Sequence, residues 1–391
     1  MIPGRRILHA AGVVAALATS AGPAVAATEG TSGGASTAGA IVSGVLTQAD
    51  GVRLPGMRVQ AEALGAAPAT CLPAAGCFAT YTDPAGRYSL TGLAPATYEL
   101  SVLDGARTVD VRAVTVTAGT GTVAAPLQLG PPAVPAGTVA LHARRDLAWL
   151  RAERERDGVP ARVVLNPRWS QECAAHDRYE AAAGVLTPSE NPASPDASVG
   201  GAWAGLNSDL AEGRWTRGGT PWEEAPIHLL ALLAPSLAVT GIDDSGRLQC
   251  AVTFPGMVRR WSGPDAVSTV PTRGQTGVTP SELPRESPFT PVRFVGLPAS
   301  RPTGRELFVY LNRAGTIGQA PVRITRASLR ARHHRVAVRW VDSATPTIGP
   351  YLAGGIIVPL RPLARRTWYR ASVAVRDGAR TITHRWRFRT L

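Results

Sequence analysis

Side chains able to do chemistry are few in this sequence and widely spaced. The chain has 391 residues, with 7 histidines and 4 cysteines. Trp169, Cys173, His176 and Glu180 recur at helical spacing and fall on one side of a helix. An imidazole beside carboxylates can hold a zinc-like ion or pass a proton. A single histidine packed beside a cysteine and a tryptophan on a helix, however, reads first as a core residue. His228 stands above Leu229 and Leu230 in a second helical pattern and reads as a hydrogen-bonded helix residue. Glu223 and Glu224 precede it and suit a solvated helix start, where the dipole favours negative charge. No serine occupies a Gly-x-Ser-x-Gly elbow, so a serine nucleophile of that kind has no seat.

The elements that must position these residues follow from punctuation and periodicity. Asn166 before Pro167 is an N-cap followed by proline at the first helical position, and Gly184 is a positive-φ stop. Leu147 to Asp157 reads as a helix, and so does the stretch around Trp222 to Leu230. Ser236 to Phe254 reads as a hairpin turning at Asp244-Ser245-Gly246. Four cysteines suggest two bridges in an exported chain. Three connectivities are possible, and the simplest pairs neighbours, Cys71 with Cys77 and Cys173 with Cys250. Loop-closure arithmetic gives about 2 kcal/mol for the short bridge and about 4 kcal/mol for the long one. Export itself is expected from residues 1–27. Arg5-Arg6 is followed by an apolar run from Ile7 to Ala18 that is too short to span a bilayer, then by Ala24-Val25-Ala26 as a cleavage pattern. No later segment has the length to cross a membrane, so the expected location is extracellular.

The length suits two or three domains. Residues 28–37 form a flexible leader. From 38 to 130, short alternating runs predict an all-β sandwich, with Asp83-Pro84-Ala85-Gly86 as a turn and Tyr88, Leu90, Tyr98, Leu100 and Val102 pointing inward. The pattern from Thr82 to Tyr98 resembles a carboxypeptidase regulatory-like domain, a transthyretin-type sandwich that is an accessory module without catalysis. Residues 131–137 are a stiff proline-rich linker. Residues 257–284, rich in Pro, Gly, Ser and Thr, read as a second linker laid along the surface. From 285 to 391 a strand series is predicted, beginning at Pro291 and closing on a hairpin at Asp377-Gly378. There Ile382, His384, Trp386 and Phe388 share one face, and Arg385, Arg387 and Arg389 the other. This ending resembles the bacterial Ig-like domains that trail CAP domains.

The helices and hairpin of 138–256 resemble that CAP family, the cysteine-rich secretory and pathogenesis-related proteins, in a short bacterial form. The resemblance implies an α-β-α sandwich. It also implies a cleft of two histidines and two carboxylates. His228 matches the second histidine through Ala225-Pro226-Ile227-His228, and Glu223 or Glu224 matches the second carboxylate. Pro188 stands where the first histidine belongs, and Val199 where the first carboxylate belongs. Glu190 is the one neighbour able to bend in as a substitute. One histidine with one or two glutamates cannot fill three or four metal positions. No cofactor, metal or catalytic residue is therefore expected.

The formal net charge is +13, and no lysine occurs, so all 41 Lys and Arg positions are arginine. Codon bias in a GC-rich genome accounts for the choice of arginine, but such a surface still attracts anions. Arg323, Arg326, Arg330, Arg332, Arg335 and Arg339 add to it in the last unit. No aromatic interleaving of the RNA-binding kind accompanies them. The expectation is a secreted, non-enzymatic protein that binds anionic cell-wall polymer or lipid headgroups. The alternative is an extracellular hydrolase of wall peptides or proteins working through His228.

Overall fold

The computed structural model describes residues 7–9, 39–64, 71, 75–105, 107–119, 121–131, 139–216, 219–314, 317–318, 320–332 and 334–391. The expected export signal and leader lie outside the described residues, apart from Ile7–His9, whose backbone pairs antiparallel with the strand Ser208–Glu212. Most of the first proline-rich linker lies outside them as well. The chain is built mainly of β-sheets, with helices confined largely to its middle.

The first unit is a pair of four-stranded sheets. Ala40–Gln48 pairs antiparallel with Arg87–Leu93 and parallel with Thr122–Ala124 and Leu127–Leu129. The second sheet runs Cys77–Tyr81, Arg58–Ala63, Ala96–Asp104, Arg107–Val116. Tyr88, Leu90, Tyr98, Leu100 and Val102 are all buried, as two-residue alternation demands. The Asp83 carboxylate accepts from the Ala85 and Arg87 N–H groups at 2.8 and 2.9 Å. Gly86 closes that turn at φ 70°, and a Cβ there would meet the Leu46 carbonyl oxygen at 2.9 Å.

The middle unit carries helices α1 (Val139–Arg156), α2 (Pro167–Ala183), α3 (Val199–Asn207) and α4 (Pro226–Leu232). Its sheet is completed by Ser208–Glu212, Leu248–Val252 and Ile242–Asp244, paired antiparallel in that order. Asn166 caps α2 by accepting from the N–H groups of Arg168 and Trp169, and Gly184 ends it at φ 67°. Helix α2 lies against the two strands of the hairpin. Gly241 allows that approach, since a Cβ on it would sit 2.3 Å from the Cβ of Trp169. The Cys173–Cys250 disulfide ties α2 to the sheet, and Cys71–Cys77 closes a local loop. Among the described residues no helix is long and apolar enough to cross a membrane.

The last unit also has two four-stranded sheets. One runs Ala266–Val270, Leu307–Asn312, Gly355–Pro359, Val338–Val341, and the other His334–Val336, Arg323–Ala331, Trp368–Asp377, Arg380–Arg389. Two expectations change here. The stretch 257–284 is not wholly linker, because Ala266–Val270 forms a strand paired along Leu307–Asn312 with Val267 and Val270 in the core. Pro291 opens no strand but a one-turn helix, Pro291–Phe294, with proline at its first position, where a preset φ and a missing N–H cost nothing.

The units share their cores. Trp169, Cys173 and Trp203 belong to one apolar cluster with the first sandwich, and Ile227, Leu229 and Leu230 to another with Phe308, Tyr310 and Ile356. Polar contacts follow the same seams. The Trp169 indole N–H donates to buried Asp104. Arg107 bridges Asp104 and Glu172 at 2.9 and 2.8 Å. The Tyr310 hydroxyl donates to the Leu230 carbonyl at 2.9 Å.

Candidate functional site

Four cleft candidates came from the sequence, and the structure sends them to three places. His228, on α4, has no exposed surface. Its Nδ1 lies 3.1 Å from Oε2 of Glu286, and the Ile227 N–H donates to the same oxygen at 3.0 Å. Glu286 comes from the segment after Ala266–Val270, and its side chain is fully buried. Burial pushes its carboxyl well above the usual range. Hydrogen bonds from the backbone of Ile227 and His228 pull it down, and Glu282 nearby pushes it further up. Asp209, on Ser208–Glu212, is buried beside this pair. Burial drives its carboxyl up, Thr253 lowers it, and Glu286 raises it again.

Glu223 and Glu224 turn away from His228. Glu223 lies 3.3 Å from Arg156 and 3.8 Å from Arg305, with its side chain about one-third exposed at 35%. Glu224 lies 3.5 Å from Arg285, half in solvent. Glu223 is thus held between Arg156 of α1 and Arg305 of the last unit, and Glu224 by Arg285.

Glu190 joins His176 instead. Its Oε1 lies 2.9 Å from His176 Nδ1, and its Oε2 accepts from the Ser198 N–H at the start of α3 at 2.7 Å. His176 Nε2 is 2.9 Å from the Thr187 carbonyl and 3.5 Å from Glu180 Oε1. Burial pulls the imidazole down, but Glu180 and Glu190 more than offset it and raise it to about 9. The cluster fastens the 184–198 loop across α2. Gly205 on α3 completes the fit, since a Cβ there would lie 2.4 Å from the His176 ring. Pro188 sits inside this loop, where its carbonyl also touches the Gly205 site.

The candidates thus form two closed histidine–glutamate contacts and one pair of surface acids. Glu286 was not anticipated: an acid in a segment rich in Pro, Gly, Ser and Thr carries no local sign of burial. Among the described residues, no group of three or more His, Cys, Asp or Glu side chains could hold a metal ion.

The outer face of the last sheet presents a different arrangement. Arg335 lies opposite Arg330, Arg330 opposite Arg370, and Arg370 opposite Arg387. Adjacent strands stand about 4.8 Å apart, so the row crosses four strands in about 14 Å. Arg326, Arg385 and Arg389 extend it by even steps along the same faces, and all seven are exposed. The nearby ion pairs lie elsewhere, Arg313 with Asp377 and Arg380 with Asp265. The Arg387 guanidinium rests 5.0 Å over the Trp368 ring. Like charges directly opposite in a sheet destabilise it, so the row is a local cost that packing does not require.

No protein-family model matches this chain, and no curated protein matches it.

Proposed function

We propose that this is an exported, CAP-like protein that acts by binding, and that it holds a phosphate-bearing polymer of the cell envelope across the arginine row of its last sheet. The observation that carries this reading is the unbroken register Arg335, Arg330, Arg370, Arg387. Guanidinium forks match phosphate oxygens two at a time, and closely spaced forks suit a repeating anion better than an isolated one. Two disulfides fit an oxidising location. Hydrolysis through His228 lacks comparable support, because a scissile bond has no route to an imidazole with no exposed surface.

The test is binding of inorganic polyphosphate to the purified protein across a salt series, with Arg330→Gln/Arg370→Gln/Arg387→Gln beside it. Binding should weaken steeply with salt, and the log–log slope should fall by roughly one for each phosphate contact removed. Anionic lipid vesicles serve as the second arm. Equal affinity of the triple variant for polyphosphate, or binding to vesicles alone, would overturn the proposal.

A further inference from the structure

A cavity of about 800 Å3 opens between α1, α2 and the hairpin Ile242–Val252, away from the arginine row. Its lining is sorted by charge and depth. Asp177 and Asp243 are 1% and 8% exposed and form the floor. Trp215, 3% exposed, forms a wall. Arg178 and Arg214 are exposed and form the rim.

Two buried groups on this lining lack a complementary partner among the described residues. The Trp215 indole N–H meets no acceptor, and the one group that the Asp177 carboxyl faces is another carboxyl, that of Asp243. A buried polar group without a complementary partner keeps its desolvation cost, so both invite a ligand that supplies the bonds. Arg145, by contrast, is already committed to Asp146 and Asp244 and covers a face of Trp149 at 4.8 Å.

From this layout we infer that the cavity binds a small zwitterion, an amino acid or an amino-acid-like end group. Its ammonium would sit on the Asp177 and Asp243 floor, and its carboxylate between the Trp215 N–H and the two rim guanidiniums. A neutral sugar would leave the opposed charges of floor and rim unused. A simple anion would meet the acidic floor, and a simple cation the basic rim. Burial raises both floor carboxyls, Asp243 to about 6, and each acts on the other through a hydrogen bond. The floor therefore has a proton to share and can adjust to an incoming ammonium. This site does not depend on the proposed polymer binding.

The experiment is an NMR or calorimetric titration of the whole protein with alanine, N-acetylalanine, alaninamide and glucose. Alanine should saturate. Removing either charge should weaken it roughly tenfold or more, as for loss of a charge-assisted hydrogen bond. Arg178→Gln/Arg214→Gln, at exposed positions and checked for an unchanged denaturation midpoint, should weaken alanine but not alaninamide. Asp177→Asn should do the reverse, weakening alaninamide most. Saturable binding of glucose alone, equal binding of all four probes, or no saturation by alanine at millimolar concentration would overturn the assignment.

Discussion

His176 and His228 make the same first contact and end in opposite situations. Each places Nδ1 on a glutamate, at 2.9 Å and 3.1 Å, and each is closed to solvent. Around His176 a second carboxylate and a backbone carbonyl share the other nitrogen, so the ring holds its proton to about 9. Around His228 the glutamate is itself driven up by burial and by Glu282. One contact is an ionic latch within the middle unit. The other is a joint between the middle and last units, with Glu286 reaching in from beyond residue 256. The side-chain types do not decide which; the number of carboxylates per imidazole and the depth of each do.

Breaking the deeper joint should cost most. Glu286→Ala removes the carboxyl oxygen that meets both the His228 ring and the Ile227 N–H and opens a void. Chemical denaturation should show a loss of about 3 kcal/mol or more, while Glu286→Gln, which keeps an acceptor, should lose less.

The ionic latch should show itself through pH. The His176 pKa is raised from 6.5 to about 9 on folding, so its contribution is complete below about 6.5. It is lost as pH rises through about 9, and the full amplitude is on the order of 3 kcal/mol. Denaturation midpoints taken across that window should fall with rising pH in the natural protein and fall less in His176→Gln, where the buried carboxyls of Glu153 and Glu172, both raised to about 8, still titrate. Glu190→Gln should have a smaller effect, about 1–2 kcal/mol at neutral pH, with the His176 titration followed by NMR moving downward. Smallest of all, Glu223→Gln and Glu224→Gln should each change stability by less than about 1 kcal/mol, because exposed ion pairs contribute little. If either surface glutamate proved worth more than Glu286, the contrast between joint and latch would collapse.

What the sequence disclosed divides along similar physical lines. Helix α2 was readable because both ends carry local chemistry, Asn166-Pro167 at the start and Gly184 at the stop. The strands bearing Tyr88, Tyr98 and Tyr369 were readable because alternation is a property of neighbours. Ala266–Val270 was not, since its partner strand lies some forty residues away and its surroundings are rich in turn formers. The burial of Glu286 was hidden for the same reason. The arginines of the last sheet were visible one by one, but their alignment across four strands depends on register, and hairpin register is fixed by turns and long-range pairing. His176 gave a mixed signal. Its spacing beside Cys173 predicted a packed residue, which it is, but nothing nearby in the chain foretold that Glu190 would complete it.

The contact between the Trp169 indole and Asp104 has a bearing on how this molecule came to be and how it comes apart. A ring from the middle of the chain donates its single N–H to an acid of the first sandwich. Severed between the two, the front piece would keep Asp104 with Arg107 but without its indole donor, and the rear piece a bare tryptophan. Such pieces are poor candidates for shuffling into other proteins like beads on a string. On heating, they should give way together, in one step.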